Sequence, residues 1–198
     1  MAGKQDLSRN NLLLCNLSYV LVLGFLLIFI HGCGPDYFIK SEGDIANIKK
    51  IAVLPFENFT GDSYAGEKIR RIAITELLLK GIDVVEPGEV TRLLRELQVR
   101  SLGSIKTTEL QEMGKTLGVE AVMSGSVEAF GISRGISVTY PEVTINFMLI
   151  DATSGSIIGS IRHTTGGASF WTRHFGSEGI SLSDAARKTV KEAINTLF

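Results

Sequence analysis

The sequence predicts an α/β (α+β) fold, a mixed β-sheet with helices packed on it, in the order β-α-β-α-α-β-β-β-α after an N-terminal signal peptide. Three observations lead there. In the first half of the chain, short apolar runs alternate with stretches of helical period, and from Glu120 onward the period changes to two. Alternating strands and helices favour parallel pairing, and a later meander favours antiparallel pairing, so the sheet is expected to be mixed. Finally, 198 residues with 44% hydrophobic and 21% charged side chains suit one globular domain and exclude disorder over most of the chain.

Each element has its own signal. Residues 34–50 (GPDYFIKSEGDIANIKK) show no sustained period and read as a flexible tether. Residues 51–56 (IAVLPF) are long enough for a strand and too short for a helix. The turn-rich 57–63 (ENFTGDS) offers Asp62 or Ser63 as a cap for the first helix. From 64 to 80, Ile69, Ile72, Ala73, Glu76, Leu77 and Lys80 recur at i, i+3, i+4 spacings, and Gly81 stands at the C-terminal cap.

A second strand is expected at 82–86 (IDVVE). Pro87, with its fixed φ, then opens a helix striped by Leu93, Leu94 and Leu97 and ending near Arg100. A third helix runs from Thr107 through Leu117 to Gly118, with Gln111 three residues after Thr108 in a capping-box-like start. The segments 121–130, 142–151 and 156–164 alternate apolar and polar, with a hairpin turn at 152–155 (ATSG). Ser183 is expected to cap a last helix, 184–197, whose apolar face holds Ala186, Val190, Ala193, Ile194 and Leu197.

The first 32 residues read as an address. Lys4 and Arg9 precede an uninterrupted apolar core at 19–30 (YVLVLGFLLIFI), about 12 residues long, whereas a spanning helix needs about 20. Counting from Leu12 gives about 19, so length alone leaves an uncleaved anchor open. Ile30-His31-Gly32-Cys33 resembles the lipobox of bacterial lipoproteins, although His31 is an unusual occupant. That resemblance implies cleavage after Gly32 and acylation of Cys33. Each buried methylene contributes about 0.8 kcal/mol and two chains suffice for stable anchoring, so three acyl chains hold a protein firmly. Gly34 rather than Asp after the cysteine resembles an outer-membrane sorting signal. The expected layout is a signal peptide (1–32), an acylated Cys33 with its tether (33–50) and a periplasmic domain (51–198).

Catalytic signals are scarce. The net charge of -1 argues against coating nucleic acid, and two cysteines, Cys15 and Cys33, cannot build a disulfide framework or a cysteine-rich zinc site. The chain contains no phosphate-binding glycine loop, nucleophile elbow or zinc-protease helix. His163 and His174 with Glu178 would make a poor metal site, and Glu57 with Asp62 is explained more simply by a turn and a cap than by acid–base work. Gly166-Gly167 reads as loop. No enzyme activity, metal or cofactor is expected. The stretch 170–175 (FWTRHF) is different: Phe170, Trp171, Arg173 and Phe175 are residue types that dominate binding hot spots, and they cluster in a Gly/Ser-flanked loop. They are the candidate protein-binding residues. The ordinary alternative is a loop folded back onto the core edge.

The segments IAVLPFENFTGD, ELLLKGIDVVEPGEV, LGVEAVMSGSVEAF and VTINFMLIDATSGSIIGSIRHTT together resemble the curli-secretion channel lipoproteins (CsgG). Relatives of that group are the peptidoglycan-synthase activator lipoproteins (LpoB) and the amino-terminal domain of TolB. The resemblance implies a lipid-tethered α/β domain on the periplasmic face of the outer membrane, with no catalytic residues to transfer. A channel of that family needs long hairpins, about 22 residues with the turn. The connector 131–141 has 11 residues, and 165–181 is rich in glycine. The leading expectation is therefore a non-enzymatic outer-membrane lipoprotein that binds a periplasmic or outer-membrane protein partner and no nucleic acid, accessory to envelope assembly or secretion. A homo-oligomeric secretion-channel subunit and an activator of a peptidoglycan synthase are the alternatives. A hydrolase is the weakest.

Overall fold

The computed structural model describes residues 36–134, 139–166 and 180–198. Over these it is an α+β fold, a mixed sheet with helices packed on it. The elements are β1 (Asp36–Ile39), α1 (Glu42–Ala46), β2 (Lys50–Val53), β3 (Glu57–Asn58), α2 (Ala65–Leu79), β4 (Asp83–Val84) and α3 (Pro87–Glu96). A 3-10 turn (Leu102–Ser104) comes next, then α4 (Thr107–Leu117), β5 (Ala121–Arg134), β6 (Thr139–Asp151), β7 (Ile157–Thr165) and α5 (Leu182–Leu197). The sheet runs β1-β7-β6-β5-β2-β4, with β3 also paired to β5. Pairing is parallel among β4, β2, β5 and β3, and antiparallel along β5, β6, β7 and β1.

The two faces of the sheet bury separate clusters. On one, Ile51, Val53, Met123, Ile145, Phe147, Leu149 and Ile161 meet Ile69, Ala73 and Leu77 of α2 and Val190, Ala193 and Ile194 of α5. On the other, Ala52, Leu54 and Val122 meet Val90, Leu93 and Leu94 of α3 and Leu110, Met113 and Leu117 of α4. A strand covered on both sides has no polar face, which explains the unbroken run IAVL in a central parallel strand. At the foot of the sheet, Glu120 Oε2 accepts from the backbone N–H groups of Lys49 (3.3 Å) and Lys50 (2.7 Å), and Lys50 Nζ donates to Leu117 O (2.8 Å).

Several boundaries differ from expectation: α3 ends at Glu96 rather than near Arg100, and the turn-rich 57–63 carries β3. The stretch read as a tether carries β1 and α1. Local period is blind to β1, because its support is the antiparallel ladder to β7, Asp36 to Arg162 through Ile39 to Gly159. The expected connector 131–141 is largely strand. The β5–β6 ladder passes a bulge between Val127 and Ala129 and continues to Arg134 opposite Thr139, with the Ser133 hydroxyl bonded to Glu142 across it. That ribbon outruns β7, whose last partner pair is Val143 with Thr165. The cap of α5 is Ser181 rather than Ser183: its Oγ accepts from the N–H of Asp184 at 3.1 Å.

Candidate functional site

The parallel strands end on one side of the sheet, and open α/β sheets present crevices just beyond such carboxyl ends. Here that region is organised by Arg70. It lies on the buried stripe of α2, between Gly66 and Ala73, and is 4% exposed. Its Nε and Nη2 donate to Val53 O at 3.2 and 2.7 Å, and its Nη1 lies 3.9 Å from Glu67. Burial lowers the pKa of the guanidinium, and the charges of Glu67 and Glu86 oppose that shift. Glu86 caps α3, accepting from the N–H of Glu89 at 2.8 Å. Its carboxyl is held below the ordinary range by the N–H groups of Gly88 and Glu89, despite some burial, and also by Arg70. Arg70 thus ties α2 to the end of β2, a role the sequence signalled only by placing an arginine on an apolar stripe.

Asp62 and Glu57 have different neighbours. Asp62 accepts from the N–H of Tyr64 at 2.9 Å and from Lys68 Nζ at 2.6 Å. The bond from Lys68 is the main reason its carboxyl falls below the ordinary range. Glu57 lies on β3 with its carboxylate beside Gly103. His163, on β7, faces Glu192 of α5 at 2.7 Å, a bond between sheet and helix. Among the described residues, no group of His, Cys, Asp and Glu could hold a metal ion. Gly166 packs against Pro141 and Glu142. Cys33 and the candidate binding residues Phe170, Trp171, Arg173 and Phe175 lie outside the described residues, as do Gly167, His174 and Glu178.

Two clefts open at the foot of the sheet. One, of about 500 Å³, is walled by Ile39, Ile45, Ile48, Ile82 and Leu197. The other, of about 700 Å³, is polar, with Lys40, Lys115, Glu120 and Asp151 in its lining. Asp151 shapes the β6–β7 turn. Its Oδ1 accepts from both the N–H and the Oγ of Ser154 at 2.6 Å, and Gly155, at φ 70°, donates to Asp151 O at 2.8 Å. Burial pushes the Asp151 carboxyl up. The bonds from Ser154 and Thr153 and the charge of Lys40 outweigh that and leave it below the ordinary range.

A folded-state value below the unfolded one means stabilisation that is full above the ordinary aspartate range and is lost as pH falls through the folded value. Asp151→Asn is therefore expected to flatten the fall of Tm on acidification below about pH 4. A Tm–pH profile parallel to that of the unsubstituted chain would show that the turn does not depend on this charge.

No family model matches the chain, and no curated protein sequence matches it. Among solved structures, it is similar to the PelC dodecamer from Paraburkholderia phytofirmans, with a TM-score of 0.58 at 23% identity, covering 83% of this chain and 96% of that one. It is also similar to lipoprotein GNA1162 from Neisseria meningitidis, with a TM-score of 0.51 at 18% identity, covering 75% and 96%. The C-terminal domain of LpoB from Escherichia coli aligns at 0.43 and 16% identity over 59% of this chain and 82% of that one, too low a score to bear on the argument. At these identities, the likeness to PelC and GNA1162 shows a shared fold and nothing further.

Proposed function

We propose that this chain is a lipid-anchored protein on the periplasmic side of the outer membrane that works by binding other proteins, copies of itself among them, as an accessory of envelope assembly or secretion. The observation that carries the reading is the fold shared with PelC, which was solved as a dodecamer. The name of GNA1162, a lipoprotein of the same fold, agrees with it. In this reading Cys33 bears the acyl chains, and Phe170, Trp171, Arg173 and Phe175 contact a partner other than the chain itself. The domain performs no chemistry of its own. A channel subunit is less well supported: a membrane strand takes about 9–11 residues, whereas among the described residues the paired ribbon beyond β7 runs from Gly131 opposite Glu142 to Arg134 opposite Thr139.

Cys33→Ala tests the anchor. The variant is expected to lose incorporation of labelled palmitate in cells and to move from the membrane fraction to the soluble fraction with its circular dichroism unchanged. Labelling equal to that of the unsubstituted chain overturns the assignment of Cys33.

A further inference from the structure

We infer that the domain lies against the lipid surface on one edge of its sheet, with β1 at the headgroups and Tyr37 and Phe38 set among them on either side of the strand. This orientation rests on the anchor at Cys33 proposed above and adds which side of the domain meets the membrane.

The link between anchor and fold is short. β1 begins at Asp36, so only Gly34 and Pro35 separate it from Cys33. From Cys33 to Asp36 the chain can span at most about 11 Å. An acylated cysteine sits where headgroups meet hydrocarbon. The headgroup layer on each side of a bilayer is about 5–8 Å thick, so the start of β1 stands at most about 3–6 Å clear of it. The residues expected to tether the domain are folded into the sheet from Asp36 onward.

With so short a link, the strands cannot stand upright on the membrane. β1 runs antiparallel to β7, so its chain arrives from the end of the sheet where the β5–β6 ribbon projects. Asp36 is level with Arg162 and, one strand further in, with Asn146, whereas β6 begins seven residues earlier, at Thr139. At about 3.4 Å per residue the ribbon reaches about 24 Å past Asp36, more than twice what the link to Cys33 allows. An upright domain would push Arg134, Ser133 and Thr139 into hydrocarbon, on a ribbon whose outer edges carry no further strand among the described residues. Open sheet edges do not occur there. Inverted, the link would have to run back along the whole of β1, about 10 Å, before meeting the lipid. Lying on the β1 edge requires neither.

The edge itself suits a lipid interface. β1 ends the strand order and pairs with β7 alone. Edge strands of soluble domains are ordinarily blunted by charge, proline or a covering element, yet Tyr37 and Phe38 are 59% and 52% exposed. Opposite Ile161 and Ser160, they project to the two faces of the sheet and flank the strand. A protein docked on one face of the sheet would cover one of these rings. A fluid layer that closes around the edge covers both. Tyrosine is enriched at headgroup level, where its ring meets the acyl boundary and its hydroxyl meets water.

The test uses the acylated chain purified from cells with one introduced thiol at a time: Tyr37→Cys, Phe38→Cys or Asp83→Cys. Acylation blocks Cys33 and processing removes Cys15, so a nitrobenzoxadiazole label attaches at the introduced site. Asp83, exposed on β4 and about 24 Å across the sheet from β1, is the reference. Each chain is reconstituted into vesicles of phosphatidylethanolamine and phosphatidylglycerol, with and without doxyl-labelled lipid. Where circular dichroism shows one edge variant altered, the other carries the test. The labels at 37 and 38 are expected to shift to the blue and to lose most of their fluorescence to the doxyl lipid, while the label at 83 keeps its own. Equal quenching at all three sites, or none, in chains that float with the vesicles overturns the orientation and leaves the anchor standing. A blue shift without quenching assigns the edge to another protein, a second copy included, and overturns it as well. A chain that does not float with the vesicles overturns the anchor, and this inference with it.

Discussion

Phe147→Ala is expected to cost about 4 kcal/mol of unfolding free energy, within the range of roughly 3–5 for removing a buried aromatic ring. Phe147 is fully buried in the middle of β6. Its ring lies 5.0 Å from that of Phe56, centroid to centroid and tilted by 36°, a favourable aromatic geometry. The opposite residue on β5 is Gly125. A side chain there has no room: a Cβ on Gly125 would come within 2.6 Å of Asn146 O and 2.8 Å of the Phe147 ring. The glycine and the phenylalanine are thus one packing decision, and the ring occupies the space the glycine leaves. Domains of this size are stable by about 5–15 kcal/mol, so urea denaturation of the variant should show a greatly lowered midpoint, or no folded baseline at all. A loss under about 1 kcal/mol would mean that the surrounding core collapses to fill the gap.

The second large effect is expected at Arg70. Replacing it with alanine removes the stem packed under α2 and leaves the buried Val53 carbonyl without its two donors, for a combined loss of about 3 kcal/mol. Arg70→Met separates the two contributions. It restores most of the stem and relieves the cost of burying a charge, but the carbonyl stays unpaired, so the expected loss is about 1–2 kcal/mol. Equal losses for the two variants, measured by denaturant unfolding, would assign the whole effect to the hydrogen bonds. A methionine variant as stable as the unsubstituted chain would assign it to packing.

Much of the architecture is legible in the sequence because it is written in local pattern. The unbroken IAVL run, the stripe of Ile69, Ala73 and Leu77, and the alternation in 121–130 and in 142–151 each decide an element within a few turns or pleats. The elements that escape such a reading depend on residues far away in the chain. β1 exists only against β7, and β3 only against β5, where Glu57 pairs with Ser126. The strand extensions at 131–134 and 139–141 hold each other, so neither half advertises itself alone. The buried Arg70 escapes for a related reason, since its partner is a backbone carbonyl and backbone carbonyls leave no mark in a sequence. The exposed apolar residues of β1 and of the end of α2 are not legible either. Tyr37 and Phe38 look the same in a tether as on a sheet edge, and Leu78 and Leu79 read only as a widening of the apolar face of α2.

The pairing order of the sheet also sets a timetable for synthesis. β2 finds its neighbour β5 only about 70 residues later, as Ile51 meets Ala121. At about 5–20 residues per second, that is a wait of roughly 4–14 s, during which the two-residue strand β4 is the one sheet neighbour of β2 that has been made. β5, β6 and β7 instead succeed one another directly and can zip as successive hairpins. The C-terminal meander is thus the template onto which the N-terminal strands are laid, in reverse of the order in which the ribosome makes them, and until Ala121 arrives the IAVL run is the segment most in need of a chaperone.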